Sequence, residues 1–208
     1  MIVSPEHQFI FVHIFKTAGT SIKRAIRRYA MPEWQEQANT ILKKLGIPQF
    51  GPDPLPDHMT ASQAIDELGR DEFNRYFSFA FVRNPWDWEV SHYKYILKKR
   101  KHELHDQVTA MGSFESYLDW RCDGRFQLQQ EFLVHEGQQV VDFVGRFETL
   151  KKDFEFVCNT LGIESELPKL NATQSSDYCD FYTPRTIKMI EETYADDIEL
   201  FQYEFKAA

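Results

Sequence analysis

Apolar positions along this chain fall into two patterns, and each predicts a different element. Two short runs are nearly continuous: Phe9-Ile10-Phe11-Val12-His13-Ile14 and Phe77-Ser78-Phe79-Ala80-Phe81-Val82. Runs of this length without alternation predict strands buried on both faces, as in a parallel sheet. Elsewhere the apolar residues recur at helical spacing. Ile22 to Tyr29 follows the first run directly, and Trp34 to Leu45 precedes Gly46, a plausible stop. Thr60-Ala61-Ser62-Gln63 has capping-box character and opens a short helix toward Leu68. Pro85 suits the first turn of a helix after the second run. Ser113 caps another that runs through Trp120, with Gly124 beyond it. Thr149 to Leu161 places Leu150, Phe154, Val157 and Leu161 on one face before Gly162. Val140 to Val144 reads as a further strand, and Thr183-Pro184 starts a last helix buried through Ile187, Ile190 and Tyr194. The stretch Gly51-Pro52-Asp53-Pro54-Leu55-Pro56-Asp57 predicts a surface loop. Strands alternating with helices predict an α/β fold with a central parallel sheet flanked by helices. No repeats or low-complexity tracts interrupt it.

The chemistry lies where the two apolar runs end. The first stops at Phe15-Lys16-Thr17-Ala18-Gly19-Thr20-Ser21, a short loop of small and hydroxyl residues that leads into a helix. Backbone N–H groups of such a loop and the positive end of the helix converge on an anion, and Lys16 adds a full charge. A nucleotide-type ligand is therefore the first expectation. The loop is not a Walker A element: no glycine opens it, and Lys16 precedes Gly19 instead of following the last glycine. The second run ends in Arg83-Asn84-Pro85-Trp86-Asp87, with Ser91 two helical turns along. Kinases and GTPases commonly place a magnesium-binding aspartate there, whereas a guanidinium with a hydroxyl suits a second phosphate bound without metal.

Two phosphate sites on one nucleotide fit 3′-phosphoadenosine 5′-phosphosulfate (PAPS), the sulfonate donor. Lys16-Thr17-Ala18-Gly19-Thr20-Ser21 resembles the 5′-phosphosulfate loop of the sulfotransferases. Phe81-Val82-Arg83-Asn84-Pro85 through Ser91-His92-Tyr93 resembles their 3′-phosphate element. Further matches are Val144-Gly145-Arg146-Phe147-Glu148, a following helix with Asp153-Phe154, and Tyr182-Thr183-Pro184 through Tyr203-Glu204-Phe205. The nearest likeness is to Golgi-type glycan sulfotransferases and their soluble bacterial relatives, over nearly the whole chain. The resemblance implies a P-loop-like sulfotransferase fold, PAPS as donor without metal, and a carbohydrate or other hydroxyl acceptor.

Composition agrees with one compact enzyme domain spanning all 208 residues, 42% hydrophobic and 15% aromatic. A net charge of −8 tells against nucleic acid as a bulk electrostatic partner. The run Lys98-Lys99-Arg100-Lys101 reads first as the wet end of a helix, and secondly as a surface for an acidic glycan. No stretch approaches a membrane span and no basic-then-apolar leader opens the chain, so a cytoplasmic protein or a trimmed catalytic domain is expected. Cys122, Cys158 and Cys179 are odd in number and widely spaced, which predicts reduced thiols. His102 and His105 lack an evident third metal ligand.

The irregular loop delivers His58 between the two phosphate motifs. Its position resembles the histidine general base of several glycan sulfotransferases, and an ordinary pKa of about 6.5 suits proton removal near neutrality. Some relatives use a glutamate instead, which makes Glu67 and Glu89 the fallback candidates. On this reading His58 deprotonates the acceptor, while Lys16 and the N–H groups of Thr17 to Thr20 stabilise charge on the leaving oxygen. Arg83 and Ser91 then hold the 3′-phosphate. Arg146 and Glu148 read as a structural ion pair or a turn anchor, and Leu170 to Thr173 falls where the family has a loop that closes on the nucleotide. Two alternatives stay open: a small-molecule kinase with a degenerate P-loop, and a non-catalytic nucleotide-binding protein.

Overall fold

The computed structural model describes residues 1–30, 38, 39, 41, 42, 44–47, 55–168 and 178–205. In chain order its opening elements are β1 (Ile2–Ser4), β2 (Phe9–Val12), α1 (Gly19–Ala30), α2 (Ala61–Leu68), α3 (Arg70–Phe73) and β3 (Phe77–Val82). Three helices follow: α4 (Pro85–Lys98), α5 (His105–Met111) and α6 (Phe114–Cys122). The remainder comprises β4 (Val134–His135), β5 (Gln138–Gln139), β6 (Phe143–Arg146), α7 (Leu150–Leu161), α8 (Pro184–Thr193) and α9 (Ala195–Phe201). The chain forms two compact units, Met1–Val82 with Phe132–Leu170 and Arg83–Glu131 with Asn171–Ala208.

The first unit carries a four-stranded sheet in the order β1-β2-β3-β6. Strands β2, β3 and β6 are parallel, with Val12 opposite Ala80 and Val82 opposite Arg146. Strand β1 adds an antiparallel edge, pairing Val3 with Ile10. Both continuous apolar runs are thus inner strands, and all four residues of β2 are buried. Alternate residues point to opposite faces. Phe9, Phe11, Phe79 and Phe81 meet Ile22, Ala25 and Ile26 of α1 and Phe154, Val157 and Cys158 of α7 in one core. Each of those phenylalanines contributes roughly 1.5–3 kcal/mol by leaving water. Gly145 lets β6 approach this layer: an added Cβ would lie 2.6 Å from the Phe81 ring.

The strand expected at Val140–Val144 begins later and runs on to Arg146. Side-chain chemistry moves its start. The Asp142 carboxylate accepts from the Ser78 N–H and hydroxyl, both at 2.7 Å, while the Val140 N–H donates to Leu133 O at 2.9 Å. Thr60 forms the expected capping box with Gln63. Helix α7 ends at Gly162 in the left-handed conformation. Ala38, Asn39, Ile41, Leu42 and Lys44 are helical before Gly46. Leu45 is already in a turn, while residues 34–37, 40 and 43 of the expected helix, Gly51–Pro54 of the surface loop, and Leu170–Thr173 lie outside the described residues.

The described part of the second unit is helical. Asn84 caps α4 by accepting from the Trp86 N–H at 3.1 Å, with Pro85 in the first turn. Ser113 caps α6, and Gly124 follows it at φ +72°. Thr183 caps α8, which is not the last helix because α9 follows Tyr194. Ile190 and Tyr194 are fully buried and Ile187 is half-buried.

Candidate active site

Between β2 and α1 the backbone takes an unusual path. Lys16 and Ala18 have positive φ, 63° and 66°, and Thr17 between them does not. Such values are uncommon outside glycine, and alternation of this kind turns successive N–H groups toward one concavity. Thr17 is buried and locks the turn by donating its hydroxyl to Ile14 O at 2.8 Å. The N–H groups of Ser21 and Ile22 return to Ala18 O. Those of Gly19 and Thr20, the first two helical positions, have no intrahelical acceptor and point out along the axis. Half-buried Lys16 stands at the rim of this donor cluster. With a helix dipole behind it, a loop of this geometry has the chemistry to receive an anion.

His58 joins this loop from a distant part of the chain. Its Nδ1 lies 3.1 Å from His13 O. A carbonyl oxygen only accepts, so the ring donates through Nδ1 and its Nε2 lone pair is left to take a proton. The ring also packs against His13, with centroids 4.5 Å apart and planes tilted by 42°, and meets Phe15 edge-on. Two local devices hold it there. Lys23 of α1 pairs with Asp57 at 2.5 Å, a contact that keeps the Asp57 carboxyl below its usual range. The Thr60 capping box then fixes the chain on the other side. His58 itself is exposed, and it lines an open hollow with Pro56, Met59, Gln63, Asp66 and Glu67.

His13 is the residue that sequence reasoning missed. It is buried and stands directly over Gly19: a Cβ added there would sit 1.8 Å from His13 Nε2. Its Nδ1 has no hydrogen-bond partner among the described residues. Burial, reinforced by His58 and Lys23, pushes its pKa down to about 3, so the ring is neutral. The available signal was a polar residue inside the apolar run, between Val12 and Ile14.

In the second unit, Arg83 precedes α4 and donates from Nε to Asp87 Oδ2 at 2.7 Å. Ser91 is half-buried on the same helix. Glu89, a fallback base, is not available for that role. It is fully buried, and its carboxylate accepts from Tyr117 Oη at 2.7 Å, Tyr194 Oη at 2.5 Å and Arg121 Nε at 3.3 Å. Burial alone would raise its pKa, but Arg121, with His92 and the two tyrosines, holds it below the usual carboxylate range.

Other motifs resolve into structure. Asp153 accepts from the Arg146 N–H at 2.8 Å and the Thr149 hydroxyl at 2.7 Å. This anchors the turn where Arg146 and Glu148 sit. His105 Nδ1 donates to Ile96 O, and His102 Nδ1 accepts from the Leu104 N–H. Lys98, Lys99, Arg100 and Lys101 are exposed at and beyond the end of α4. Cys122, Cys158 and Cys179 are not joined in disulfides. Among the described residues, no group of three or more His, Cys, Asp or Glu is arranged to hold a metal ion. No helix of theirs is long and apolar enough to cross a membrane.

Sequence comparison attaches a family to this mostly parallel α/β sheet and its strand–loop–helix. Residues 1–204 match the Sulfotransferase family, and the chain belongs to it. It is 28% identical to an uncharacterised protein of Archaeoglobus fulgidus, over 58% of this chain and 97% of that one. It is 22% identical to carbohydrate sulfotransferase 11 of Rattus norvegicus, over 98% of this chain and 66% of the relative. With carbohydrate sulfotransferase 12 of Xenopus laevis the identity is again 22%, over 98% of this chain and 60% of the relative. The chain therefore spans slightly under two thirds of these carbohydrate sulfotransferases. The fold is similar to that of mouse sulfotransferase SULT7A1, crystallised with PAP, at a TM-score of 0.55 and 15% identity. That alignment covers 95% of this chain and 86% of the mouse chain.

Proposed function

We propose that this protein transfers a sulfonate group from PAPS to an acceptor hydroxyl on a carbohydrate. The observation that carries the reading is the pairing, in one unit, of an anion-receiving loop with a histidine oriented as a base. The loop offers Lys16, the N–H groups of Thr17, Ala18, Gly19 and Thr20, and the Ser21 hydroxyl to the 5′-phosphosulfate. Arg83 and Ser91 bind the 3′-phosphate. His58 Nε2 takes the acceptor's proton as the acceptor oxygen bonds to sulfur. The bond from sulfur to the 5′-phosphate oxygen breaks in line, and 3′-phosphoadenosine 5′-phosphate (PAP) leaves. Charge grows on that departing oxygen, so donors already fixed around it stabilise the transition state more than the ground state. Neutral His13 supports the arrangement, because an imidazolium there would be repelled by Lys23 and, once His58 is protonated, by that ring as well. Family membership and the PAP complex of the structural neighbour support the donor. The names of the carbohydrate sulfotransferase relatives support the acceptor class.

The test is incubation with radiosulfur-labelled PAPS and a glycan array, with calorimetry of PAP binding in EDTA. Metal-independent binding and label on sugar hydroxyls are expected. Binding of ATP only with magnesium, and none of PAP, would refute the donor. Tight PAP binding with no transfer to any hydroxyl offered would refute catalysis.

A further inference from the structure

Arg83 is held by its main chain as well as its side chain. The side-chain amide of Gln129 accepts from the Arg83 N–H through Oε1 at 2.8 Å and donates from Nε2 to Arg83 O at 2.8 Å. A donor and an acceptor are thus exchanged with a single residue, as in a hydrogen-bonded antiparallel pair. The amide does for Arg83 what a neighbouring strand would do, just where β3 has ended. Gln129 is itself fixed. The Asp197 carboxylate accepts from the Gln129 N–H at 2.7 Å and the Gln130 N–H at 2.9 Å. Gln129 and Asp197 are both 0% exposed. Leaving either amide group unpaired in such a place costs its full desolvation.

We infer that Gln129 is a positioning residue for Arg83, with Asp197 as its anchor; the inference rests on the reading that Arg83 binds the 3′-phosphate. The peptide of Arg83 is clasped at one end, and its Nε is held by Asp87 at the other. Few torsions remain by which the guanidinium can drift. A phosphate contact of this kind depends on geometry, since the fork must meet the anion with both prongs aligned. A polar residue fully buried against a neighbour's backbone, with a carboxylate buried behind it, is costly to maintain unless that placement matters.

The test compares affinities for PAP and for adenosine 5′-monophosphate, which differ only in the 3′-phosphate. The unaltered protein should bind PAP more tightly. In Gln129→Met the ratio of the two affinities should fall about tenfold, the worth of one or two hydrogen bonds, while affinity for the monophosphate stays nearly unchanged. Gln129→Glu retains the acceptor for the Arg83 N–H but sets a carboxylate against Arg83 O, and should lower the same ratio. In an Arg83→Ala background, Gln129→Met should cause no further loss, because the two act as one unit. An equal loss for both nucleotides, an additive loss with Arg83→Ala, or failure of both Gln129 variants to fold would assign Gln129 a purely structural role and overturn the proposal. An unchanged ratio in folded variants would also overturn it while leaving the donor reading intact. Equal affinity of the unaltered protein for both nucleotides would remove the 3′-phosphate reading itself.

Discussion

Gly19→Ala probes the contact on which the loop between β2 and α1 rests. Gly19 is the first residue of α1, and its φ is not in the left-handed region. Backbone propensity alone would then favour alanine by up to ~1 kcal/mol. Space decides otherwise. The new methyl would lie 1.8 Å from His13 Nε2, 1.9 Å from Cδ2 and 2.9 Å from Cε1. The ring must retreat by about 1.2 Å to reach even 3.0 Å, and it has little room, being buried against Phe11 on one side and His58 on the other. Overpacking costs ~1–3 kcal/mol and an overlap this deep belongs at the upper end, so after the propensity gain the net change should be a destabilisation of about 2 kcal/mol. Because His58 is bonded to the carbonyl of the displaced residue, turnover should fall as well. Urea denaturation measures the first effect and sulfonate transfer the second. The double variant His13→Ser, Gly19→Ala removes the obstructing ring and should recover part of the stability lost in the single variant. A Gly19→Ala protein as stable as the unaltered one, with unchanged turnover, would refute the reasoning.

Three further outcomes are expected. Lys16→Ala and His58→Ala should each lower turnover about 10²- to 10³-fold with little change in denaturation midpoint, measured under saturating PAPS; unaltered turnover in either would remove its role. Glu89→Ala would strand Arg121 in the interior of the helical unit, and thermal unfolding should report a loss of about 3–5 kcal/mol. His13 has a folded pKa of about 3 against an ordinary 6.5. Below pH 6.5 the unfolded chain therefore binds a proton that the folded one refuses, and stability present above 6.5 drains as pH falls toward 3. Replacing His13 with asparagine should flatten that decline in a series of urea titrations, and an unchanged slope would show that the ring protonates in place.

The two inner strands were legible because burial on both faces leaves an uninterrupted apolar signature, and the turn into α1 because small and hydroxyl residues follow the first run directly. The capping box at Thr60 and the helix start at Thr183-Pro184 were legible for a similar reason, since their chemistry is local. Strand β1 was not: three residues at a sheet edge carry no periodicity, and only pairing with Phe9–Phe11 makes them a strand. The start of β6 was displaced by Asp142, whose partner Ser78 lies 64 positions earlier. Glu89 looked available as a base because ionisable residues are usually wet. Nothing in its neighbourhood along the chain announces Arg121, Tyr117 and Tyr194.

The parts of the site that escaped the sequence share one physical trait, which is that they act on backbone atoms. His58 is oriented by the carbonyl of His13, and Gln129 grips the peptide of Arg83, across 45 and 46 positions of chain respectively. Every residue except proline offers the same N–H and C=O, so a side chain that binds them leaves no complementary residue type to look for. Motifs reveal which side chains meet a ligand. They are silent about what aims those side chains. On the reading proposed above, that aim falls to the buried Gln129 amide and the exposed His58 imidazole, both bonded to main chain, and substitution of Gln129 should alter geometry-sensitive affinity before it alters the fold. The ratio of PAP to monophosphate binding reads that distinction for Gln129 in a way that a melting temperature does not.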